Sequence, residues 1–173
     1  ALMLDERGFD ALRFRGPGTD LTVGLIENGR WHTASEETLD GRRHVVNMPT
    51  EEVYTTPHRL RTEGTVRATL PLAVAGTIVR DLEIAFAGGR AVSAEASTGA
   101  DVVRGQLAMD DGSSFLGEVA LVDGESRVGR TGIVFLNTLF DENATCHIAY
   151  GGGSLSTIDG HEALTPEQLE SLG

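Results

Sequence analysis

The sequence contains no lysine, so all 14 of its basic residues are arginines, and they face 26 aspartates and glutamates. A formal net charge of -12 at pH 7 would repel phosphate backbones and anionic membranes, which argues against nucleic acid and membrane surfaces as partners. The absence of lysine also excludes a Gly-x-x-x-x-Gly-Lys phosphate-binding loop. The acidity itself indicates solubility and identifies no substrate.

Cysteine is nearly absent as well, since Cys146 is the single one in the chain. One cysteine excludes an internal disulfide framework and fits a reducing compartment, so we predict a cytoplasmic protein. Without a second cysteine nearby, we expect Cys146 to be a buried structural thiol. No apolar run approaches the roughly 20 residues that cross a bilayer, and we expect neither a membrane span nor a signal peptide.

Glycine is abundant, with 22 residues, and short apolar or β-branched runs separated by turn residues dominate the pattern. Strands are predicted over 19–26, over 116–122 and in a meander over 64–97, where Gly88-Gly89 suggests a hairpin. Residues 33–43 read as a loop and 133–140 as an apolar segment. Helical spacing predicts a helix over 100–109, and a capping sequence predicts another that begins near Thr165. The fold class predicted is α+β: a β-rich domain with mixed or antiparallel sheet and a few short helices.

The first 19 residues are interpreted as the end of a preceding segment, because 1–12 read like the last part of a helix. Residues 20–173 are then interpreted as one domain, since no linker divides them.

Two glutamates could carry chemistry. Glu118 is a lone carboxylate within an apolar run, where burial would be costly without a partner or a metal ion. It could equally face solvent from a half-exposed strand. Glu52 follows Glu51 in a loop restrained by Pro49 and Pro57, and its alternative interpretation is a solvated acidic turn.

His147 follows an acidic segment, where an imidazole can be either a metal ligand or a hydrogen-bonded core residue. Together, two glutamates and a histidine are the ligand types of a hydrolytic metal centre that keeps positions open for water. Their spacing does not establish that they meet.

Four segments, in order, resemble the aminopeptidase T and aminopeptidase S family: Gly16-Pro17-Gly18-Thr19-Asp20-Leu21-Thr22-Val23, Asn47-Met48-Pro49-Thr50-Glu51-Glu52-Val53-Tyr54, Leu116-Gly117-Glu118-Val119-Ala120-Leu121-Val122, and Leu139-Phe140-Asp141-Glu142-Asn143-Ala144-Thr145-Cys146-His147. The resemblance extends over essentially the whole chain. It implies a dinuclear metallo-aminopeptidase that uses metal-activated water to release residues from peptide N-termini. It further implies that residues 20–173 belong to the C-terminal, metal-binding catalytic domain.

The resemblance assigns Glu52, Glu118 and His147 as metal ligands, with Glu51 as a neighbour and no further catalytic residue. It implies two divalent ions, for which zinc, cobalt and manganese are all suitable, and a homodimer as the full-length protein.

The sequence departs from the family pattern at two places, which limits how many of the family's site residues can be assigned to it. Ser154 occupies the position where the family has a site tyrosine, and Tyr150 is out of register with it. The family's later His-x-Asp pair does not occur before Gly173. We therefore expect the chain to lack the C-terminal end of its domain, to bind metal weakly if at all, and to be inactive alone. The alternative hypotheses are a non-catalytic β-rich binding or dimerisation module that keeps the fold, and a β-barrel ligand carrier.

Overall fold

The computed structural model describes residues 1–172 as two antiparallel sheets, two small hairpins and a few short helices. The larger sheet has the strand order β1-β2-β6-β9-β10, formed by Ala11–Gly16, Thr19–Leu25, Pro57–Arg67, Glu83–Ala87 and Arg90–Glu95. The smaller sheet has the order β12-β11-β5, formed by His147–Tyr150, Leu116–Val122 and Glu52–Thr55. The hairpins are β3 with β4 (Ser35–Glu37, Arg43–Val45) and β7 with β8 (Leu72–Val74, Thr77–Val79).

The helices are short and lie at the ends and connections of the sheets. They are α1 (Leu2–Arg7), α2 (Ala100–Leu107), α3 (Arg127–Arg130), α4 (Thr138–Asp141) and α5 (Pro166–Leu172), with 3₁₀ turns at Glu142–Ala144, Leu155–Thr157 and His161–Ala163. Within residues 1–172, no helix combines the length and the hydrophobicity that a bilayer span requires.

The main core lies between the larger sheet, helix α2 and one face of the smaller sheet. Leu21 and Val23 from β2, Phe86 from β9, Val103 from α2 and Val119 from β11 are nearly or completely buried in it. Burial of apolar side chains on this scale is the main stabilising contribution to a domain of this size. The core therefore holds the smaller sheet in a fixed position against the larger one.

The predicted fold class is confirmed, and so are several local predictions. Gly88 and Gly89 form the turn between β9 and β10. At α5, the Thr165 N–H donates to Gln168 Oε1 and the Gln168 N–H donates to Thr165 Oγ1, which is the capping arrangement that the sequence indicated.

Other local predictions differ from the structure. The expected loop over 33–43 contains strand β3, which pairs with β4 as an exposed hairpin. The apolar segment 133–140 is largely exposed and ends in helix α4. Strand β1 lies within the segment that was assigned to a preceding unit, and it pairs with β2 along its whole length. The domain division at residue 19 stays a prediction.

Candidate metal centre

Strand β11 is the central strand of the smaller sheet and sets the position of all three candidate ligands. On one side Val122 lies opposite Glu52 of β5, and on the other Ala120 lies opposite His147 of β12. Directly opposed residues of antiparallel strands share a face, and alternate residues of one strand do too. Glu52, Glu118 and His147 therefore project from the same face of the sheet.

The opposite face of this sheet packs into the core, through Val53 of β5, Val119 and Leu121 of β11, and Ile148 of β12. A β-bulge at Gly117 explains how Leu116 also reaches the core, although it lies three residues before Val119. The extra residue changes the alternation, so that Glu118 faces away from the core. Strand alternation therefore explains why a single carboxylate occurs within an apolar run: its neighbours Leu116 and Val119 face the core and Glu118 does not.

The three side chains meet above strand β11. His147 Nε2 lies 2.9 Å from Glu52 Oε2 and 3.4 Å from Glu118 Oε1. Their ligand atoms all fall within 4.8 Å of one another. Because β5 and β12 are on opposite sides of β11, Glu52 and His147 reach each other over Ala120, which is fully buried and small.

The ligand atoms of this group lie close together but do not form well-aligned hydrogen bonds with one another. Glu52 Oε2 and His147 Nε2 are buried without a properly aligned hydrogen-bond partner, even though they are close. On the other side of the ring, His147 Nδ1 is 3.1 Å from the Thr145 carbonyl oxygen. A carbonyl can only accept, so Nδ1 carries a proton, and Nε2 is the ring nitrogen that is left to bind a metal ion.

Two carboxylates that converge in a half-buried place repel each other unless positive charge lies between them, either the proton of an imidazolium or a metal ion. Zn²⁺ bound by nitrogen and oxygen at about 2.0–2.2 Å, in tetrahedral or octahedral geometry, separates its ligand atoms by roughly 3.0–3.5 Å. The distances of 2.9 and 3.4 Å are close to that range. The donor set and the spacing therefore fit a divalent cation, and the orphaned buried atoms give a reason for it to bind.

The same convergence changes the affinity of the site for protons. Burial alone would lower the pKa of His147, but the contacts with Glu118 and Glu52 outweigh burial and raise the pKa to about 10. Burial, and then repulsion from Glu52, raises the pKa of the Glu142 carboxyl. The site thus attracts positive charge.

Glu51 and Glu52 take different roles. The Glu51 carboxylate accepts from the backbone N–H of Arg127 at 2.6 Å and from its Nε at 2.7 Å, at the start of α3. It is therefore held away from the His147 ring. The family resemblance assigned Glu52 as the ligand and Glu51 as its neighbour, and strand pairing places Glu52 opposite Val122, on the face of Glu118 and His147.

The prediction for Cys146 was wrong, because its side chain is exposed rather than buried. Cys146 precedes the first residue of β12, at the end of the sheet, and is not among the residues that pack against the core. Its thiol sulfur accepts from the N–H of Val122 at 3.4 Å and therefore helps to fix the start of β12.

Two further residues near the centre were not singled out by the sequence. Tyr54 lies opposite Ala120 and so shares the face of the ligands. Burial, and then repulsion from Glu36 and Glu118, raises the pKa of its phenol. Glu142 is the second residue. The signal for Tyr54 was its two-residue spacing from Glu52, while nothing in the sequence distinguished Glu142 from its acidic neighbours.

The two positions that depart from the family pattern lie near the end of β12. Tyr150 donates from its hydroxyl to Gln106 Oε1 at 2.6 Å, which ties it to α2. The Ser154 N–H donates to Thr56 Oγ1 at 2.9 Å. Tyr150 lies opposite Leu116 and packs against the core, so it is on the other side of the sheet from Glu118.

Comparison with known proteins identifies the family of this chain. All 173 residues match the family model described as "Thermophilic metalloprotease (M29)". The chain belongs to the M29 family. Its similarity to "Aminopeptidase T" of Thermus aquaticus is 49% identity over 157 residues, which is 91% of this chain and 38% of that protein. Its identity to "Aminopeptidase PepS" of Streptococcus thermophilus is 39% over 173 residues, all of this chain and 42% of the relative.

A solved structure has the same fold over this part of its chain. The structure titled "Wild-type AmpT from Thermus thermophilus" superposes with a TM-score of 0.89 at 48% identity, covering 94% of this chain and 41% of that one. The M29 chain described here thus spans about two fifths of the length of the relatives that it matches.

Proposed function

We propose that this M29 chain is part of a metal-dependent aminopeptidase that releases residues from peptide N-termini, with Glu52, Glu118 and His147 as metal ligands. One observation carries the proposal: buried, unpartnered ligand atoms of Glu52 and His147 converge with Glu118 on one sheet face. Membership of a metalloprotease family and relatives named aminopeptidases support it.

Divalent ions at this group supply Lewis acidity, which polarises a carbonyl and makes water nucleophilic at neutral pH. The side chains of the chain itself form the binding site for these ions. Glu52 and Glu118 contribute negative charge, and His147 contributes a nitrogen ligand whose orientation the Thr145 carbonyl fixes. Ala120 leaves the space above β11 in which the ligand atoms meet.

We further propose two ions, because the family resemblance implies a dinuclear centre. Oxygen and imidazole ligands suit zinc, cobalt and manganese alike. The resemblance also supports a homodimer of the full-length protein, and the single cysteine supports a cytoplasmic location.

The direct test uses the full-length gene product. We expect Zn²⁺ or Co²⁺ titration calorimetry to show binding, and an aminoacyl-p-nitroanilide to be hydrolysed in a chelator-sensitive manner. Glu118→Gln should abolish turnover and weaken metal binding while the melting temperature of the metal-free protein stays near that of the wild type. The matched control is Glu83→Gln, the same chemical change at an exposed residue of β9. Full turnover in Glu118→Gln would refute the proposal.

A second candidate is a non-catalytic binding or dimerisation module that keeps the M29 fold. Ser154, in place of the family's tyrosine, favours it. A full-length protein that binds metal ions but releases no amino acid from any peptide or anilide substrate would support this candidate.

A further inference from the structure

We propose that Asn143 is a positioning residue of the metal centre: its buried side-chain amide joins the loop before Glu52 to the segment before His147. This inference rests on the proposed function, because it concerns how two of the proposed ligands are held.

Asn143 is 1% exposed and lies in the 3₁₀ turn Glu142–Ala144, four residues before His147. Its Oδ1 accepts from the backbone N–H of Glu51 at 2.6 Å. Glu51 directly precedes Glu52, so this bond ends one residue from a proposed ligand. The two bonded residues are 92 positions apart in the chain.

The other end of the amide is also used. Asn143 Nδ2 donates to the Pro49 carbonyl at 3.1 Å and to the Leu139 carbonyl at 3.0 Å. One amide group therefore bonds both ends of the Pro49–Glu51 backbone and also helix α4, which directly precedes its turn. Both N–H donors are occupied, and so is one acceptor site on Oδ1.

This set of partners requires an amide. Two carbonyl oxygens need donors and one N–H needs an acceptor, which neither a carboxylate nor an apolar side chain can supply together. Removal of the amide leaves buried backbone groups of Pro49, Glu51 and Leu139 without partners, and such groups are costly.

The two strands that carry Glu52 and His147 are not hydrogen-bonded to each other in the sheet, because β11 lies between them. Sheet hydrogen bonds therefore fix each ligand relative to β11 only. Asn143 adds a direct connection between the segments that lead into β5 and β12. Because metal affinity depends on ligand atoms being held at the correct separation, loss of this connection acts on metal binding and not only on folding.

The test compares Asn143→Ala with Val103→Ala in the full-length protein. Val103 is fully buried in α2, outside the metal group, so its truncation destabilises the fold by a cavity and leaves the ligands in place. Zn²⁺ affinity is measured by calorimetry, the absorption spectrum of the Co²⁺-loaded protein reports ligand geometry, and thermal unfolding of the metal-free protein reports stability.

We expect Asn143→Ala to weaken Zn²⁺ binding about 10- to 100-fold, the range found for groups that orient metal ligands, and to change the Co²⁺ spectrum. Val103→Ala should lower the melting temperature without changing either metal measurement. If Asn143→Ala does not fold, Asn143→Asp retains the acceptor for Glu51 and loses both donors, and it should show the same loss.

An Asn143 variant that is less stable but binds Zn²⁺ within twofold of the wild type would overturn this inference while leaving the proposed function intact. A wild-type protein that binds neither ion would overturn both.

Discussion

Glu51 and Glu52 are adjacent in the chain, yet their carboxylates enter different environments. Glu51 is bound at the N-terminus of α3 through Arg127, whereas Glu52 lies 2.9 Å from His147 Nε2. The two side chains separate because neighbouring residues of an extended chain point to opposite sides.

This separation predicts unequal consequences for the same substitution. Glu52→Gln removes a charged ligand atom, so we expect at least a 100-fold loss of Zn²⁺ affinity, since charge and geometry are both changed. Glu51→Gln weakens the contact with Arg127 and should lower stability while metal affinity changes less than tenfold. Calorimetric titration and thermal unfolding of both variants measure the two effects. Equal losses of affinity would contradict the assignment of Glu52 over Glu51.

Ala120 permits the contact between ligands from non-adjacent strands, and this predicts a steric effect. Ala120→Leu places a larger side chain where Glu52 and His147 cross over β11. We expect metal binding to fall below detection, at a cost in stability of about 1–3 kcal/mol for overpacking. Ala120→Ser conserves the size and should still bind metal. Undiminished binding by Ala120→Leu would show that the ligands do not meet above this residue.

The sequence predicted which residues could bind a metal ion better than it predicted their arrangement in space. Glu52, Glu118 and His147 became candidates through their chemistry and through the family motifs. Their convergence did not follow from their spacing, because it depends on which strands flank β11 and on the register of each pair. The bulge at Gly117 changes the alternation by one residue, and a glycine within a strand was the local signal for it. The α+β class and the α5 capping sequence were predictable because turn and cap residues act locally.

Positive φ at Gly64 predicts a large destabilisation by any side chain. The residue has φ of +109° in β6, and an added Cβ would lie 2.1 Å from the Asp20 carbonyl oxygen of β2. We expect Gly64→Ala to lower the free energy of unfolding by more than about 2 kcal/mol, because strain and a backbone clash act together. Gly76→Ala is the control, since φ is +75° there but nothing lies within 4 Å. Gly76→Ala should lower the free energy of unfolding by only about 1–2 kcal/mol, which is the strain of the left-handed conformation.

Urea unfolding of the two variants measures the difference. Equal losses of stability would show that β2 and β6 can separate to accept a methyl group.

His58 predicts a pH dependence of stability that is separate from the metal centre. Burial, and then repulsion from Arg61, lowers the pKa of His58 below its ordinary value of 6.5. Its Nδ1 also accepts from the N–H of Leu60 at 3.2 Å, a bond that protonation would remove. With the folded pKa below the unfolded one, the unfolded chain binds more protons as the pH falls. This contribution to stability is therefore complete above about pH 6.5 and is lost as the pH falls through the folded pKa.

His58→Gln has no such titration, so the free energy of unfolding of the wild type relative to this variant should decrease between pH 7 and pH 5. Urea unfolding of both proteins across that range, at constant ionic strength, gives the difference directly and cancels the titration of the other histidines. A relative stability that stays level or rises on acidification would mean that the folded state does not disfavour the charged form of His58.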